Sequence, residues 1–267
     1  MRLVVLGSGT CFPTPPDARV RMPPLFAVDP GEGRWILLDC SEGARWRLPA
    51  AGIDPARVRH VALSHAHPDH AALPQFVQAR ACAAIAGAPR DELSLEVFMP
   101  SECAATVTSL WRWHQPEDGG VATRRYRLDL TGAWHGWSRA LHEDVTLRAF
   151  RVRHRRSPAL AWRVESRGRV VAYSGDSAPC DALVECARGA DLFVCDAAAP
   201  VGEDLSESAG HCNPRQAGEA AREGGAKALV LTHHAGGDGA EVMIADARAS
   251  GFAGRVIVAD DGLRLTA

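Results

Sequence analysis

The chain has 267 residues, of which 46% are hydrophobic and 23% charged, a composition that indicates a globular protein and excludes a disordered one. Its formal net charge of −2 gives the whole molecule no attraction for nucleic acid or an anionic membrane. No window resembles a transmembrane helix, and residues 1–7 lack the long apolar core of a signal peptide. None of the eight cysteines forms a Cys-x-x-Cys pair, which excludes a zinc ribbon. We therefore expect a cytoplasmic protein without membrane contact.

Apolar runs bounded by glycine and proline turns predict strands in the first half of the chain. These strands are expected at residues 3–6, 25–28, 35–39, 59–63 and 95–99. Helical composition marks residues 41–51, 71–86 and 101–113. Residues 114–143 are the least regular stretch, with one strand predicted at 124–130.

The second half begins with three predicted strands and then alternates strands with helices. Strands are expected at residues 145–152, 159–165, 169–173, 192–195, 228–231 and 256–258. Helices are expected at 214–223 and 241–249. Hairpins followed by alternating strands and helices predict an α/β (α+β layered) fold, a mixed-sheet sandwich with helices outside. Since no linker divides the chain, we expect a single domain over 1–267, with a cap or irregular segment at about 100–145.

A dense group of polar side chains, His65, His67, Asp69 and His70, follows the strand predicted at 59–63. An imidazole or carboxylate without a partner at a strand end would be desolvated for no structural gain. A solvated histidine-rich loop is the alternative and explains the dense spacing less well. We interpret His65-x-His67-x-Asp69-His70 as the first half of a two-metal site.

Four more polar residues, His154, Asp176, His211 and His233, fall where predicted strands end or where a helix begins. Taken singly, the histidines could be ordinary ones and Asp176 a turn carboxylate, and His234 competes with His233 by one position. Strand ends in layered folds can nevertheless hold functional groups rigidly. These residues therefore gain significance from the cluster that they could complete.

The combined set suits two adjacent divalent ions. Imidazole and carboxylate ligands favour zinc, with manganese and iron as alternatives. Two ions about 3.5–4 Å apart can share a hydroxide and stabilise both the attacking and the leaving oxygen. The predicted metal ligands are His65, His67, Asp69, His70, His154, Asp176 and His233.

These motifs and their order resemble those of the metallo-β-lactamase-fold hydrolases, and within them the ribonuclease Z-type phosphodiesterases. The matching pieces span nearly the whole chain. They are Leu6-Gly7-Ser8-Gly9-Thr10, Leu38-Asp39-Cys40-Ser41-Glu42-Gly43, Leu63-Ser64-His65-Ala66-His67-Pro68-Asp69-His70, His154, Tyr173-Ser174-Gly175-Asp176-Ser177, Gly210-His211 and Leu229-Val230-Leu231-Thr232-His233.

The resemblance implies an αββα sandwich of the metallo-β-lactamase fold with the metals at one edge. It implies that one ion is held by His65, His67 and His154, and the other by Asp69, His70 and His233, with Asp176 bridging. It further implies two catalytic residues. His211 would contact the scissile phosphate and assist proton transfer to the leaving group, while Asp69 would help to orient a bridging hydroxide that attacks phosphorus in line.

Several departures from the family pattern concern the substrate. The interval from His154 to Asp176 leaves no room for the glycine-rich tRNA-binding arm of tRNA-processing members. Ser41 replaces a usual glycine, and the common serine and arginine are absent after His233. Cys212 replaces the small hydroxyl residue that usually follows His211. The resemblance therefore implies the core chemistry rather than tRNA 3′-end processing.

The leading functional hypothesis is a dinuclear metal-dependent phosphodiesterase acting on a small or cyclic phosphodiester or on an RNA end. Arg155 and Arg156, directly after His154, could reach such a substrate, because arginine forks suit phosphate oxygens. A lactone, thioester or sulfate ester hydrolase of the same fold is one alternative. A non-catalytic metal-binding sensor or assembly factor is another.

The tryptophans between residues 111 and 137 have three alternative roles. They could form a lid on which a base or an aromatic leaving group stacks, belong to the core, or form a homodimer contact. The expected partners are thus a small-molecule or short nucleic-acid phosphodiester substrate and, as an open alternative, a second copy of the chain.

Overall fold

The computed structural model describes residues 1–11, 20–31, 33–85, 94–114 and 128–267, without the side chains of 81–85 and 110–114. Within these residues the strands form two seven-stranded sheets. The first sheet contains, in spatial order, β14 (Arg264–Thr266), β1 (Arg2–Gly7), β2 (Leu25–Asp29), β3 (Trp35–Leu38), β4 (Val58–Ala62), β5 (Leu95–Pro100) and β6 (Leu128–Ala133). The second contains β13 (Arg255–Val258), β12 (Ala228–Thr232), β11 (Leu192–Asp196), β10 (Arg169–Tyr173), β9 (Ser157–Ser166), β8 (Val145–His154) and β7 (Ser138–His142).

Helices cover the outer faces of both sheets. They are α1 (Ala44–Ala50), α2 (Leu73–Ile85), α3 (Ala104–His114), α4 (Asp181–Ala187), α5 (Pro214–Gly224) and α6 (Ala240–Ala249), with 3₁₀ turns at Pro55–Arg57 and Ser101–Cys103. Leu48 and Phe76 pack under the first sheet, and Leu183 and Met243 pack over the second. No described helix has the length and apolar character needed to span a bilayer.

The central core lies between the two sheets, where alternate side chains of each strand face one another. Phe26, Phe98, Trp162 and Tyr173 are among its largest buried side chains. Apolar contacts on both faces of both sheets therefore produce the layers helix, sheet, sheet, helix. The predicted αββα sandwich is confirmed.

The carboxyl ends of several strands meet at one edge of the sandwich. Strands β3 to β6 are parallel, as are β10 to β13, and β8 has the same direction as β10 because both are antiparallel to β9. Two hydrogen bonds join the sheets at this edge. Trp162 Nε1 donates to the carbonyl of Leu63 (3.0 Å), and the amide of Leu160 donates to the carbonyl of Ser64 (2.9 Å).

Three elements were not predicted from the sequence: β7, β14 and α4. Each is short, with three to seven residues, and β7 is an exposed edge strand whose only partner among the described strands is β8. Such segments lack a long apolar period. Strand β6 begins later than the predicted 124–130, and residues 124–127 lie outside the described residues.

The single-domain interpretation and the cap at about 100–145 remain predictions. Residues 115–127 lie outside the described residues, and the described remainder contains α3, β6 and β7.

The tryptophans of this segment differ in their surroundings. Trp137 is a core residue, with its ring 5.2 Å from that of Phe98 and 6.1 Å from that of Trp162. Trp134 is 59% exposed. The side chains of Trp111 and Trp113 lie outside those the structure describes.

Candidate metal centre

The residues predicted as metal ligands all lie at the edge where strand carboxyl ends meet. They occupy the loop after β4, the last residue of β8, and the positions shortly after β10 and β12. In chain order they are His65, His67, Asp69, His70, His154, Asp176 and His233. All are buried except His67, which is exposed, and Asp69, which is half-buried.

One group contains His65, His67, His154 and Asp176, whose candidate ligand atoms all lie within 4.8 Å of one another. Nε2 of His154 is 3.4 Å from Nδ1 of His67. Oδ2 of Asp176 is 3.7 Å from Nε2 of His65 and 3.8 Å from Nε2 of His154. Such separations suit neighbouring ligands of one ion, because zinc lies about 2.0–2.2 Å from nitrogen and oxygen ligands.

The second group contains Asp69, His70 and His233. Oδ2 of Asp69 is 3.5 Å from Nε2 of His70 and 3.6 Å from Nε2 of His233. Both imidazoles therefore face the same carboxylate oxygen. The structure thus brings together the residues of both groups that the resemblance implied, while their role as metal ligands remains a prediction.

Asp176 lies between the two groups and presents a different oxygen to each. Oδ2 faces His65 and His154, while Oδ1 is 3.3 Å from Nε2 of His70 and 3.5 Å from Nδ1 of His233. This placement is what a bridging carboxylate requires.

Hydrogen bonds outside the cluster orient its imidazoles. His70 Nδ1 lies 2.7 Å from Oδ2 of Asp39, and His154 Nδ1 lies 3.1 Å from the carbonyl of Gly210. His65 Nδ1 lies 3.0 Å from Oγ of Ser64. Occupying Nδ1 in this way fixes the ring and leaves Nε2 for the interior of the cluster, as outer hydrogen bonds commonly do for metal-binding histidines.

Asp39 is the centre of the supporting network. It is fully buried and accepts hydrogen bonds from the amide of Ser64 (2.6 Å), Oγ of Ser64 (2.9 Å) and the hydroxyl of Tyr173 (2.5 Å), besides its bond with His70. Asp39 belongs to the motif Leu38-Asp39-Cys40-Ser41-Glu42-Gly43, which carries part of the family resemblance, but no role was predicted for it.

Three non-glycine residues at this edge have left-handed backbone conformations. They are Asp39 (φ 59°), Arg155 (φ 46°) and His233 (φ 61°). Each such residue costs roughly 1–3 kcal/mol and persists only where the surroundings hold it. Strained backbone concentrated beside one cluster indicates a functional site.

The cluster also contains buried polar atoms without a hydrogen-bond partner in the described structure. They are Nε2 of His65, Nε2 of His70, Oδ1 of Asp176 and both ring nitrogens of His233. Each unsatisfied buried group costs about 1–3 kcal/mol, which a bound cation would relieve. Because these atoms are imidazole nitrogens and a carboxylate oxygen, the donor set fits divalent metal binding.

Carboxylates control the protonation of two of these histidines. Burial opposes charge on His233, but the carboxylate of Asp176 and its neighbours outweigh burial and raise the pKa of His233 to about 10. The same balance, with Asp176 and Asp39, raises the pKa of His70 well above its ordinary value. Protons therefore compete with metal for these imidazoles.

His211 lies beside the cluster rather than within the two ligand groups. Its ring is 5.0 Å from that of His154 and 5.3 Å from that of His233. Its Nδ1 is 2.7 Å from Oδ2 of Asp196, so Nε2 is the nitrogen left for a substrate. Burial opposes protonation, but the Asp196 carboxylate outweighs it and raises the pKa of His211.

Asp196, like Asp39, is a site residue for which the sequence interpretation predicted no role. It is fully buried at the end of β11, and it also accepts hydrogen bonds from the amides of Ser177 (3.0 Å) and Ala198 (2.9 Å). The available signal was its position, since it ends a strand as the predicted ligands do. A third possible ligand group includes Asp196, because its candidate ligand atom lies within 4.8 Å of those of Asp176, His211 and His233. The bonds already made by both Asp196 oxygens favour a supporting role instead.

His234, the alternative to His233, is buried away from the two ligand groups, with Nε2 3.0 Å from the carbonyl of Ala259. His60 and His142 belong to neither group, and their rings pack against each other with centroids 5.6 Å apart. The preference for His233 therefore agrees with the geometry.

Comparison with known proteins agrees with this architecture. The family model described as "Beta-lactamase superfamily domain" matches residues 34–234. Ribonuclease Z of Ignicoccus hospitalis is 32% identical over 277 aligned positions, covering 87% of each chain. Ribonuclease Z of Mycobacterium bovis is 28% identical and covers 98% of this chain and 96% of its own.

Among solved structures, the metallo-β-lactamase fold protein YhfI of Bacillus subtilis superposes with a TM-score of 0.80 at 21% identity. The alignment covers 99% of this chain and 98% of that one, and it shows a shared fold. The resemblance inferred from the motifs is confirmed. The chain belongs to the β-lactamase superfamily and is a ribonuclease Z-like metal-dependent hydrolase.

Proposed function

We propose that this protein is a dinuclear metal-dependent phosphodiesterase that acts on a small or cyclic phosphodiester or on an RNA end. The observation that carries the proposal is Asp176, which presents one oxygen to each of two histidine groups. The ribonuclease Z relatives support the reaction class, since a ribonuclease cleaves phosphodiester bonds.

In this proposal His65, His67 and His154 would hold one divalent ion, Asp69, His70 and His233 would hold the other, and Asp176 would serve both. When bound, the ions supply Lewis-acid stabilisation of phosphoryl oxygens and lower the pKa of water. Zinc fits the donors best, with manganese and iron as alternatives.

His211 supplies the proton that the leaving oxygen needs. Asp196 orients the imidazole through Nδ1 and favours its protonated form, so that Nε2 can donate to the substrate. The Asp69 side chain belongs to the second ligand group and is about one-tenth exposed, so it can also accept a hydrogen bond from the attacking water.

The shape of the β8–β9 connection supports a small substrate or a strand end. His154 pairs directly with Ser157, so only two residues form the turn between the strands. Strands β9 and β10 then fill the interval up to Asp176. This interval therefore contains no arm of the kind that holds tRNA in tRNA-processing members.

An activity panel tests the reaction class. Metal-replete protein is assayed with bis-p-nitrophenyl phosphate, a lactone and an aryl sulfate, while its metal content is measured by elemental analysis. We expect two equivalents of metal and cleavage of the phosphodiester. Cleavage of the lactone or the sulfate alone would assign an ester hydrolase. Two bound metals without cleavage of any substrate would favour the sensor hypothesis.

A further inference from the structure

A cleft of about 670 Å³ opens beside His67, on the side of the cluster that solvent reaches. Its lining includes Arg153, Arg155, Arg156 and Glu207. The cleft is continuous with the candidate metal centre because it shares His67 with it. A substrate bound at the metals would therefore extend into this cleft.

Arg155 and Arg156 are the two turn residues of the β8–β9 hairpin, whose flanking residues His154 and Ser157 both touch His67. Nε2 of His154 is 3.4 Å from Nδ1 of His67, and Oγ of Ser157 is 3.1 Å from its Nε2. The turn is thus anchored on both sides to the candidate metal centre.

The backbone of the turn is held in place by Gly210. A Cβ at Gly210, whose φ is 77°, would lie 2.6 Å from the amide nitrogen of Arg155, so this close approach requires glycine. The carbonyl of Gly210 also lies 3.1 Å from Nδ1 of His154. Arg155 itself has a left-handed conformation (φ 46°), which side chains other than glycine rarely adopt. The close contact with Gly210 therefore holds the strained backbone of Arg155 in place at the entrance to the site.

The charges in the cleft do not cancel. Arg153 forms an ion pair with Glu207 (2.7 Å), which balances one guanidinium. Arg155 and Arg156 are exposed, and in the described part of the chain neither forms an ion pair. The Glu207 carboxylate in the cleft is thus taken up by Arg153, and the guanidinium groups of Arg155 and Arg156 are not paired with a carboxylate of the described residues. Guanidinium forks bind phosphate oxygens in a bidentate manner.

We propose that Arg155 and Arg156 bind a second phosphate of the substrate, which the enzyme does not hydrolyse. This inference rests on the proposed function, because the scissile diester would lie at the buried ligands. The terminal phosphate of a small nucleotide and the next diester of a strand share the required chemistry.

The test compares p-nitrophenyl thymidine 5′-phosphate, the same compound with a 3′-phosphate, and the same compound extended by a 3′-linked nucleotide. For the wild-type protein we expect a second phosphate to raise kcat/KM about 10- to 100-fold, the range of a charge-assisted contact. A gain with the terminal phosphate alone supports a small nucleotide substrate. A gain with the extended diester supports a strand end.

Variants of the turn test the assignment to these residues. In Arg155→Gly combined with Arg156→Gln, the ratio of kcat/KM with and without the second phosphate should fall towards one. Replacing both arginines with lysine should restore part of the ratio. Arg167→Gly is the matched control, because Arg167 also has a left-handed conformation (φ 49°) in a hairpin turn but lies outside the cleft. It should keep the wild-type ratio.

Calorimetric binding of thymidine 3′,5′-bisphosphate and thymidine 5′-monophosphate to the same proteins gives a readout that does not depend on turnover. Tighter binding of the bisphosphate by the wild type, lost in the double variant, supports the inference even if no phosphodiester is cleaved. Equal ratios in the wild type and the double variant, in both kinetics and binding, would overturn it.

Discussion

Nδ1 of His211 lies 2.7 Å from Oδ2 of Asp196, and the aspartate is fully buried at the end of β11. This pairing fixes the imidazole orientation and favours its protonated form, since the buried carboxylate raises the pKa of His211 against the effect of burial. A histidine held in this way can donate a proton from Nε2. Asp196 therefore acts as a positioning residue in the proposed mechanism.

Replacing Asp196 with Asn tests that role. We expect kcat to fall about 10²–10⁴-fold, the range for acid–base assistance, because the amide no longer stabilises the imidazolium. Activity that requires protonated His211 is lost as pH rises through its pKa, so this limb of the pH–rate profile should move to lower pH. Elemental analysis should show unchanged metal content. An unshifted limb would contradict the assignment.

His211→Ala should keep the bound metal and slow turnover about 10²–10⁴-fold. The reason is that His211 lies outside the two ligand groups that share Asp176. Measurement of kcat together with metal content distinguishes proton transfer from coordination. A matched loss of metal would instead place His211 among the ligands. The ion would then be held by a third group of neighbouring side chains, Asp176, Asp196, His211 and His233.

Asp176→Ala should lose both metals, because each carboxylate oxygen faces one of the two groups. Elemental analysis of the purified variant checks this expectation. Asp246→Ala is the control, since it removes another buried carboxylate, one that pairs with Arg215 away from the cluster. Retention of two equivalents by Asp176→Ala would refute bridging.

Asp39→Asn should weaken metal binding about 10–100-fold, the usual effect of losing an outer partner of a ligand. Asp39 accepts from Nδ1 of His70 and so directs Nε2 of that imidazole into the cluster. Chelator competition measures the affinity. Tyr173→Phe removes only one donor to Asp39 and should have a smaller effect. Equal affinities of Asp39→Asn and the wild type would show that His70 is oriented without Asp39.

His60 should make the protein sensitive to acid. Burial and the charges of His142 and nearby arginines lower the pKa of His60 to about 3 in the folded protein. The unfolded state binds a proton below about pH 6.5, whereas the folded state does not, so stability is full above that pH. It then falls by up to about 1.4 kcal/mol per pH unit towards pH 3.

In His60→Gln the loss of unfolding free energy between pH 7 and pH 5 should be smaller by about 2 kcal/mol. Urea unfolding of the metal-free proteins at the two pH values provides the measurement. The wild type and the variant differ only at His60. Protonation of the metal-binding histidines therefore contributes equally to both losses and cancels in the difference between them. Identical losses would show that His60 stays accessible to protons in the folded state.

The predictable parts of the fold are those with continuous apolar runs. Residues 228–231 were predicted as a strand and belong to β12, whose residues are all buried. By contrast, β7 is an exposed edge strand and α4 has only seven residues, so neither has a hydrophobic period that distinguishes it from a loop. Their structure depends on pairing with β8 and packing against the second sheet.

The chemistry of the candidate site, like the long buried strands, could be predicted from local sequence. His65, His67, Asp69 and His70 stand together after one strand, and the later polar residues stand at strand ends, so the residue types and spacing predicted a two-metal centre. Residue type and local spacing are therefore enough to predict the donor atoms, because these depend on the residues themselves and on the strand that precedes them.

The residues that support and surround those donors can be identified only from the folded structure. Asp196 and His211 are fifteen positions apart, and Asp39 is 134 positions from Tyr173, so neither hydrogen bond is visible in a local pattern. The direction of each Asp176 oxygen and the anchoring of the Arg155–Arg156 turn by Gly210 likewise depend on how the two sheets pack. Distances between segments far apart in the chain are set by that packing.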